Sequence, residues 1–160
     1  MSTISASVLH GRKDLRTVCS NLISSPFAEY PLRSLQDSRN ISPPTSSEVQ
    51  VAIRATTICG SDLYYYHHFA IGDTPVREPL ILGHESAGVV TALGSGVSGF
   101  AIGDKVALEV GVPCDACERC NEGRYNLCEN MKFRGSARSL PHFQGTLQEK
   151  LNHPSMWIHR

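Results

Sequence analysis

"GHESAGVVTALGSGVSGFAIGDKVAL", residues 83–108, reads as a strand (SAGVVTAL) running into a Gly/Ser turn, then a second turn and a second strand (KVAL). Glycine supplies the turn conformations that the β-branched neighbours resist. Upstream, "EVQVAIRAT" (48–56) alternates Val49, Val51 and Ile53 with Gln50, Ala52 and Arg54. A period of two marks a strand with one buried face. Short strands punctuated by glycine predict a mainly β fold, a partly open barrel with only short helices, rather than a doubly wound sheet. The 160 residues suffice for one domain with a modest core.

Composition removes several classes of function. Fifteen acidic and fifteen basic side chains cancel, and neither sign forms a long run. The electrostatic footprint of a nucleic-acid binder or a polybasic membrane anchor is therefore missing, and a small-molecule or protein partner is expected. No stretch approaches the roughly 18 to 20 apolar residues of a membrane span, and "MSTISASVLHGRKDLR" has no signal-peptide h-region, so we expect a cytoplasmic protein. In a reducing compartment cysteines serve more often as metal ligands or reactive thiols than as disulfide partners.

Downstream of the two strands, "GVPCDACERCNEGRYNLCEN" (111–130) carries Cys114, Cys117, Cys120 and Cys128. Their C-x2-C-x2-C-x7-C spacing suits thiolates converging on one tetrahedral ion, with Zn–S bonds of about 2.3 Å. Iron–sulfur ligation uses a similar start, but there the fourth cysteine usually follows after about three residues and precedes proline, whereas Cys128 precedes Glu129. Unligated or disulfide-bonded thiols are the remaining alternative. The intervening residues are charged or turn-forming, so ligation would supply folding energy that packing cannot. Four protein ligands close such a site to substrate.

Chemistry must then lie elsewhere. Cys59 follows the first strand directly, and His84 and Glu85 open the second segment. A thiolate, an imidazole and a carboxylate are all acceptable zinc ligands, and three protein ligands leave a fourth position open. Spacing alone does not decide this. A lone cysteine after a strand also serves as a small buried hydrophobe, and a His-Glu pair as surface polarity or a satisfied structural histidine.

"CGSDLYYYHH" (59–68), "GHESAGVV" (83–90), "GDKVALEVGVPCDACERCNEGRYNLC" (103–128) and "GTLQEKLNHPSMW" (145–157) together resemble the N-terminal catalytic domain of zinc-dependent medium-chain dehydrogenases, the sorbitol (polyol) dehydrogenase branch in particular. The resemblance covers about residues 48–160 and the short piece "SVLHGRKDLR". It implies a GroES-like barrel over the whole chain, a structural zinc on the 111–130 lobe, and a catalytic zinc on Cys59, His84 and Glu85. The implied reaction is NAD-linked, reversible oxidation of a secondary alcohol of a polyol to a ketose, with zinc as the Lewis acid. Ser61 matches the hydroxyl that bonds the substrate or relays its proton, and Asp62 a carboxylate that orients the imidazole of His84. Both also serve as caps for a turn or helix after Cys59. A homo-oligomer is implied for the full-length form.

The sequence departs from that family in four places. Tyr64 stands where a relay histidine is common, with His67 and His68 as substitutes. Thr57 stands where glycine is usual, which would cost stability if the backbone there had positive φ. Residues 17–47, with no clean period and with Cys19 matched by no motif, read as an insertion or disordered loop; removing about 18–33 would restore a short link, and that stretch reads as translated intron or a gene-model error, or else as a tolerated surface loop. Finally, no G-x-G-x-x-G follows a strand, so a Rossmann domain is absent, no residue binds the dinucleotide, and the 160-residue chain alone is expected to be inactive. The other function consistent with the sequence is a zinc-binding structural or interaction module without catalysis. Tyr65 and Phe133 are candidates to line a substrate cleft, or else core aromatics.

Overall fold

The computed structural model describes residues 2–18 and 39–160. Cys19 and residues 19–38 of the expected insertion lie outside the described residues, while Thr17 and Val18 end one strand and Arg39–Ile41 form another, paired with Ser2–Ile4.

The elements that place the functional side chains are β1 (Ala6–Gly11), β2 (Asp14–Val18), β3 (Glu48–Thr57), α1 (Gly60–His68), β4 (Leu80–Ile81), β5 (Glu85–Leu93), β6 (Lys105–Leu108), α2 (Glu118–Asn121), β7 (Lys150–Pro154) and β8 (Ile158–His159). One sheet runs in the order β7-β3-β5-β6-β8 with every neighbour antiparallel, and a second in the order β2-β1-β4. Residues 145–149 connect the two sheets. Ile53 N–H of β3 donates to Glu149 O at 2.9 Å on one side, while on the other Ser7 N–H of β1 donates to Leu147 O at 2.8 Å and Leu147 N–H donates to Leu82 O, just after β4, at 3.0 Å. The expected architecture holds: a mainly β, partly open barrel whose sheets do not close, carrying short helices and a four-cysteine lobe, with no doubly wound Rossmann sheet among the described residues.

The alternation in β3 buries Val49 and Val51 completely, each contributing about 1.5–3 kcal/mol by area removed from water. They pack with Val90, Val106, Leu108, Leu151 and Ile158 between the strands of the five-stranded sheet. Simple alternation would expose Ala52, yet it is buried. Register shifts between Gln50 and Val51 and between Ile53 and Ala55 irregularly twist β3 against β5, as bulges do. Close contact between these strands requires Gly88, since a Cβ there would lie 2.3 Å from Ala52 O. A second core, of Leu9, Tyr65, Val76, Leu80, Leu82 and Ala137, packs α1 against the small sheet. Among the described residues no helix is long and apolar enough to cross a membrane.

One buried polar group joins the lobe to the barrel. Arg134, 5% exposed, donates from Nε to His153 Nδ1 at 2.9 Å, from Nη1 to Gln144 O at 3.0 Å and from Nη2 to Asn152 O at 2.7 Å, with its guanidinium 4.3 Å above the Phe143 ring. His153, fully buried, accepts at Nδ1 and so donates from Nε2 to Trp157 O at 3.1 Å. Burial first, and the Arg134 cation second, pushes the His153 imidazole down to about 3 from its ordinary 6.5. In the unfolded chain that ring takes up a proton near 6.5, whereas the folded chain resists until about 3. The unfolded state therefore binds more protons across this window: the contribution is complete above pH 6.5 and is lost as pH falls, by at most about 1.4 kcal/mol per pH unit. We expect the urea midpoint to fall between pH 7 and pH 4, and to fall less in His153→Gln; equal slopes in the two chains would contradict the neutral, buried imidazole.

Candidate metal centres and active site

Two groups of metal-ligating side chains form, and they coincide with the two groups expected from sequence. In each, one donor atom per residue lies within 4.8 Å of all the others: Cys114, Cys117, Cys120 and Cys128 in one, Cys59, His84 and Glu85 in the second.

The four-cysteine lobe is built locally. Gly111–Val112 pairs with Lys132–Phe133 at its base, α2 begins after Cys117, and a short 3-10 turn at Tyr125–Leu127 leads into Cys128. From Cys114 to Leu127 no residue is buried, so the lobe has no apolar interior of its own. All four cysteines are free thiols, with Sγ–Sγ separations of 3.5 Å for Cys117–Cys120 and for Cys114–Cys128. A tetrahedron with bonds of about 2.3 Å has edges of about 3.8 Å, so these donors fit zinc. Backbone N–H groups of Ala116 and Cys117 lower the Cys114 thiol to about 6, while partial desolvation of the half-buried Cys120 thiol, followed by Cys117 and Cys128, pushes Cys120 up to about 12. Four adjacent thiolates repel one another unless a cation compensates them, and that couples ion binding to folding of the lobe.

The second group draws on separate parts of the chain. Cys59 occupies the N-cap of α1, and Asp62, at the third helical position, accepts the Cys59 N–H at Oδ2 over 2.9 Å. This is the acidic half of a capping box. The same carboxylate accepts Gly83 N–H at Oδ1 over 2.8 Å, and His84 Nδ1 lies 3.6 Å from that oxygen. Asp62 is 3% exposed and His84 7%. Gly83 has φ +83, and a Cβ there would stand 2.8 Å from Thr56 Cγ2 and 2.9 Å from Leu147 Cγ, so only glycine carries the chain through this corner to His84. Glu85 opens β5 directly opposite Thr57, whose hydroxyl donates to Glu85 Oε2. Thr57 has no positive φ, and its β-branch sits in extended strand at no conformational cost.

Other expected residues fall as follows. Ser61 is half-buried on the first turn of α1, and its hydroxyl has no hydrogen-bond partner among the described residues. Tyr64 is exposed and stacks on His68 at 4.4 Å, while Arg12 Nε donates to the backbone oxygen of His67. Tyr65 belongs to the core: it is 4% exposed, and its hydroxyl oxygen accepts Ala137 N–H at 3.0 Å. Phe133 lies on the lobe's base, 39% exposed, with its ring 5.4 Å from that of His84. Sequence reasoning missed Arg134 and His153, the Asp62–Gly83 bond and the Thr57–Glu85 bond. No local spacing announces any of them.

Residues 45–160 match the family model for the alcohol dehydrogenase GroES-like domain. The chain is 40% identical over 147 residues to a protein of Neosartorya fischeri named probable D-xylulose reductase A, covering 92% of this chain and 37% of that one. It is 43% identical over 133 residues to the L-arabinitol 4-dehydrogenase of Aureobasidium melanogenum, covering 83% and 34%. The chain thus spans little more than a third of the length of these curated relatives. Among solved structures, the L-idonate 5-dehydrogenase of Escherichia coli superimposes with a TM-score of 0.75 at 26% identity, over 98% of this chain and 39% of that one.

The division into two centres yields a prediction. Cys117→Ser removes a thiolate from a lobe that nothing else holds, and should open residues 111–130 to limited proteolysis and lower the zinc that survives gel filtration by about one ion per chain. Cys59→Ser should leave the lobe resistant. Equal resistance in both variants would contradict the division.

Proposed function

We propose, from the premise that this chain belongs to the alcohol dehydrogenase family through its GroES-like domain, that it is the zinc-holding part of an NAD-linked polyol dehydrogenase. Such an enzyme reversibly oxidises a secondary alcohol of a polyol to a ketose. The observation that carries the proposal is the convergence of Cys59, His84 and Glu85, apart from the closed set of four cysteines. Relatives named D-xylulose reductase and L-arabinitol 4-dehydrogenase support a polyol and ketose pair as the substrates.

In this proposal Cys114, Cys117, Cys120 and Cys128 hold a structural zinc, and Cys59, His84 and Glu85 hold a catalytic one. When bound there, zinc would supply Lewis acidity toward an alcohol oxygen. The remaining roles belong to the chain's own side chains. Asp62 faces Nδ1 of His84 and fixes the ring, so that Nε2 is the nitrogen left for ligation. Ser61, with its hydroxyl unengaged, accepts the substrate's hydroxyl hydrogen two residues from Cys59. Phe133 forms an apolar wall beside His84 and excludes water. Tyr64 takes the relay position, with His68 stacked on it as the nearest imidazole.

Hydride transfer needs the nicotinamide C4 within about 3–3.5 Å of the substrate carbon. We assign that cofactor to a Rossmann domain outside these 160 residues, so the chain alone binds no NAD and is inactive. The free thiols of the lobe fit the cytoplasm as the location.

The test is a chimera in which this chain, lacking residues 18–33, continues into the Rossmann domain of a polyol dehydrogenase. We expect it to reduce NAD with xylitol or L-arabinitol, followed by absorbance, and we expect His84→Ala to abolish turnover while Tyr64→His preserves or raises it. Undiminished turnover in the His84→Ala chimera would overturn the catalytic assignment, and NAD affinity in the isolated chain by calorimetry would overturn the assignment of the cofactor.

A further inference from the structure

Glu85 differs from the other two members of its group. Cys59 is half-buried and fixed at a helix cap, and His84 is buried against Asp62, but Glu85 is exposed. A glutamate side chain has three free torsions, and an exposed one loses that freedom when it binds an ion. Only one described interaction restrains it, the hydroxyl of Thr57 donating to Oε2. The other carboxylate oxygen has no donor among the described residues.

We propose that Thr57 is a positioning residue for Glu85: its hydroxyl holds one carboxylate oxygen so that the other is presented to a metal ion shared with Cys59 and His84. The inference rests on taking those three residues as a metal site. Three observations support it. Thr57 and Glu85 are directly opposed in the antiparallel pair of β3 and β5, where facing side chains stand about 4.5–5.5 Å apart at Cβ, within reach of a hydroxyl–carboxylate bond. Thr57 lies two residues before Cys59 on the same run of chain, so one segment supplies a ligand and steadies another. The Thr57 backbone is unstrained, so a β-branched residue is accommodated there and the hydroxyl can be removed without disturbing the strand. A hydroxyl donor also makes the carboxylate's direction definite in the way that outer hydrogen bonds orient metal ligands.

The probe is cobalt(II) added to the metal-free full chain, which reports each centre by its own absorption. The four-thiolate lobe serves as the internal measure of folding. Thr57→Val keeps the shape and loses the hydroxyl; we expect it to weaken cobalt at the Cys59 centre by about tenfold and to shift its d–d bands, with the lobe unchanged. Thr57→Ser keeps the hydroxyl and should restore both affinity and spectrum. If the valine variant loses the lobe's spectrum, Thr57→Ala is measured in its place against the same serine control. Wild-type affinity and bands in Thr57→Val, in a chain where His84→Ala abolishes the second centre, would overturn the role of Thr57 alone. A second cobalt spectrum that persists in His84→Ala would overturn the metal site itself.

Discussion

A buried carboxylate that accepts two backbone N–H groups holds this structure's chemistry together. Asp62 bonds Cys59 N–H through one oxygen and Gly83 N–H through the other, and so joins the start of α1 to the corner that precedes β5. Burying a carboxylate is costly unless its oxygens are satisfied, and here both are. The donors sit at Cys59 and at the residue before His84, so the bonds that make the burial tolerable also fix two of the three proposed ligands. Gly83 at φ +83 is the complementary constraint, because any side chain there would meet Thr56 and Leu147 and push the corner away from Asp62.

The lobe and the barrel are linked by the same logic applied to a cation. Arg134 follows Phe133 directly, and its guanidinium is held by the oxygens of Gln144 and Asn152 and by His153, with Glu48 adding a longer-range attraction. That buried node fixes where the lobe's base strand leaves the barrel, and therefore where Phe133 stands against His84. A lobe with no buried residue between Cys114 and Leu127 has little else to place it, apart from the contact of Tyr125 with Trp157 at 4.8 Å. Stability at the lobe and shape beside His84 are in this way coupled through one strand.

What could be read from the sequence follows from the range of each interaction. The four-cysteine lobe was legible because its ligands lie within fifteen residues of one another, and their spacing itself encodes the geometry. The strands around Val49, Val51 and Val90 were legible because burial imposes a period of two. Ala52 escaped that rule, since a register shift depends on the partner strand and leaves no mark on its own. Cys59, His84 and Glu85 were ambiguous from spacing and became specific only through resemblance to a family. Asp62 was expected to orient an imidazole, but its bond to Gly83, twenty-one residues away, depends on a tertiary corner that no local pattern predicts. Thr57 carried an expectation of strain tied to positive φ; the backbone there is extended, and the hydroxyl instead engages Glu85. Arg134 and His153 gave no signal, because a charged side chain after a short strand ordinarily faces water.

Asp62 brings the Cys59 and His84 segments together into one proposed metal centre, independent of the lobe. The most direct measurement is zinc K-edge X-ray absorption on the zinc-loaded chain and on Asp62→Asn, whose amide cannot accept both N–H groups. For the wild-type chain we expect two ions, with a shell of sulfur plus lighter N and O atoms; for Asp62→Asn we expect one ion with a four-sulfur shell. Two ions with an unchanged mixed shell in Asp62→Asn would contradict this role of Asp62.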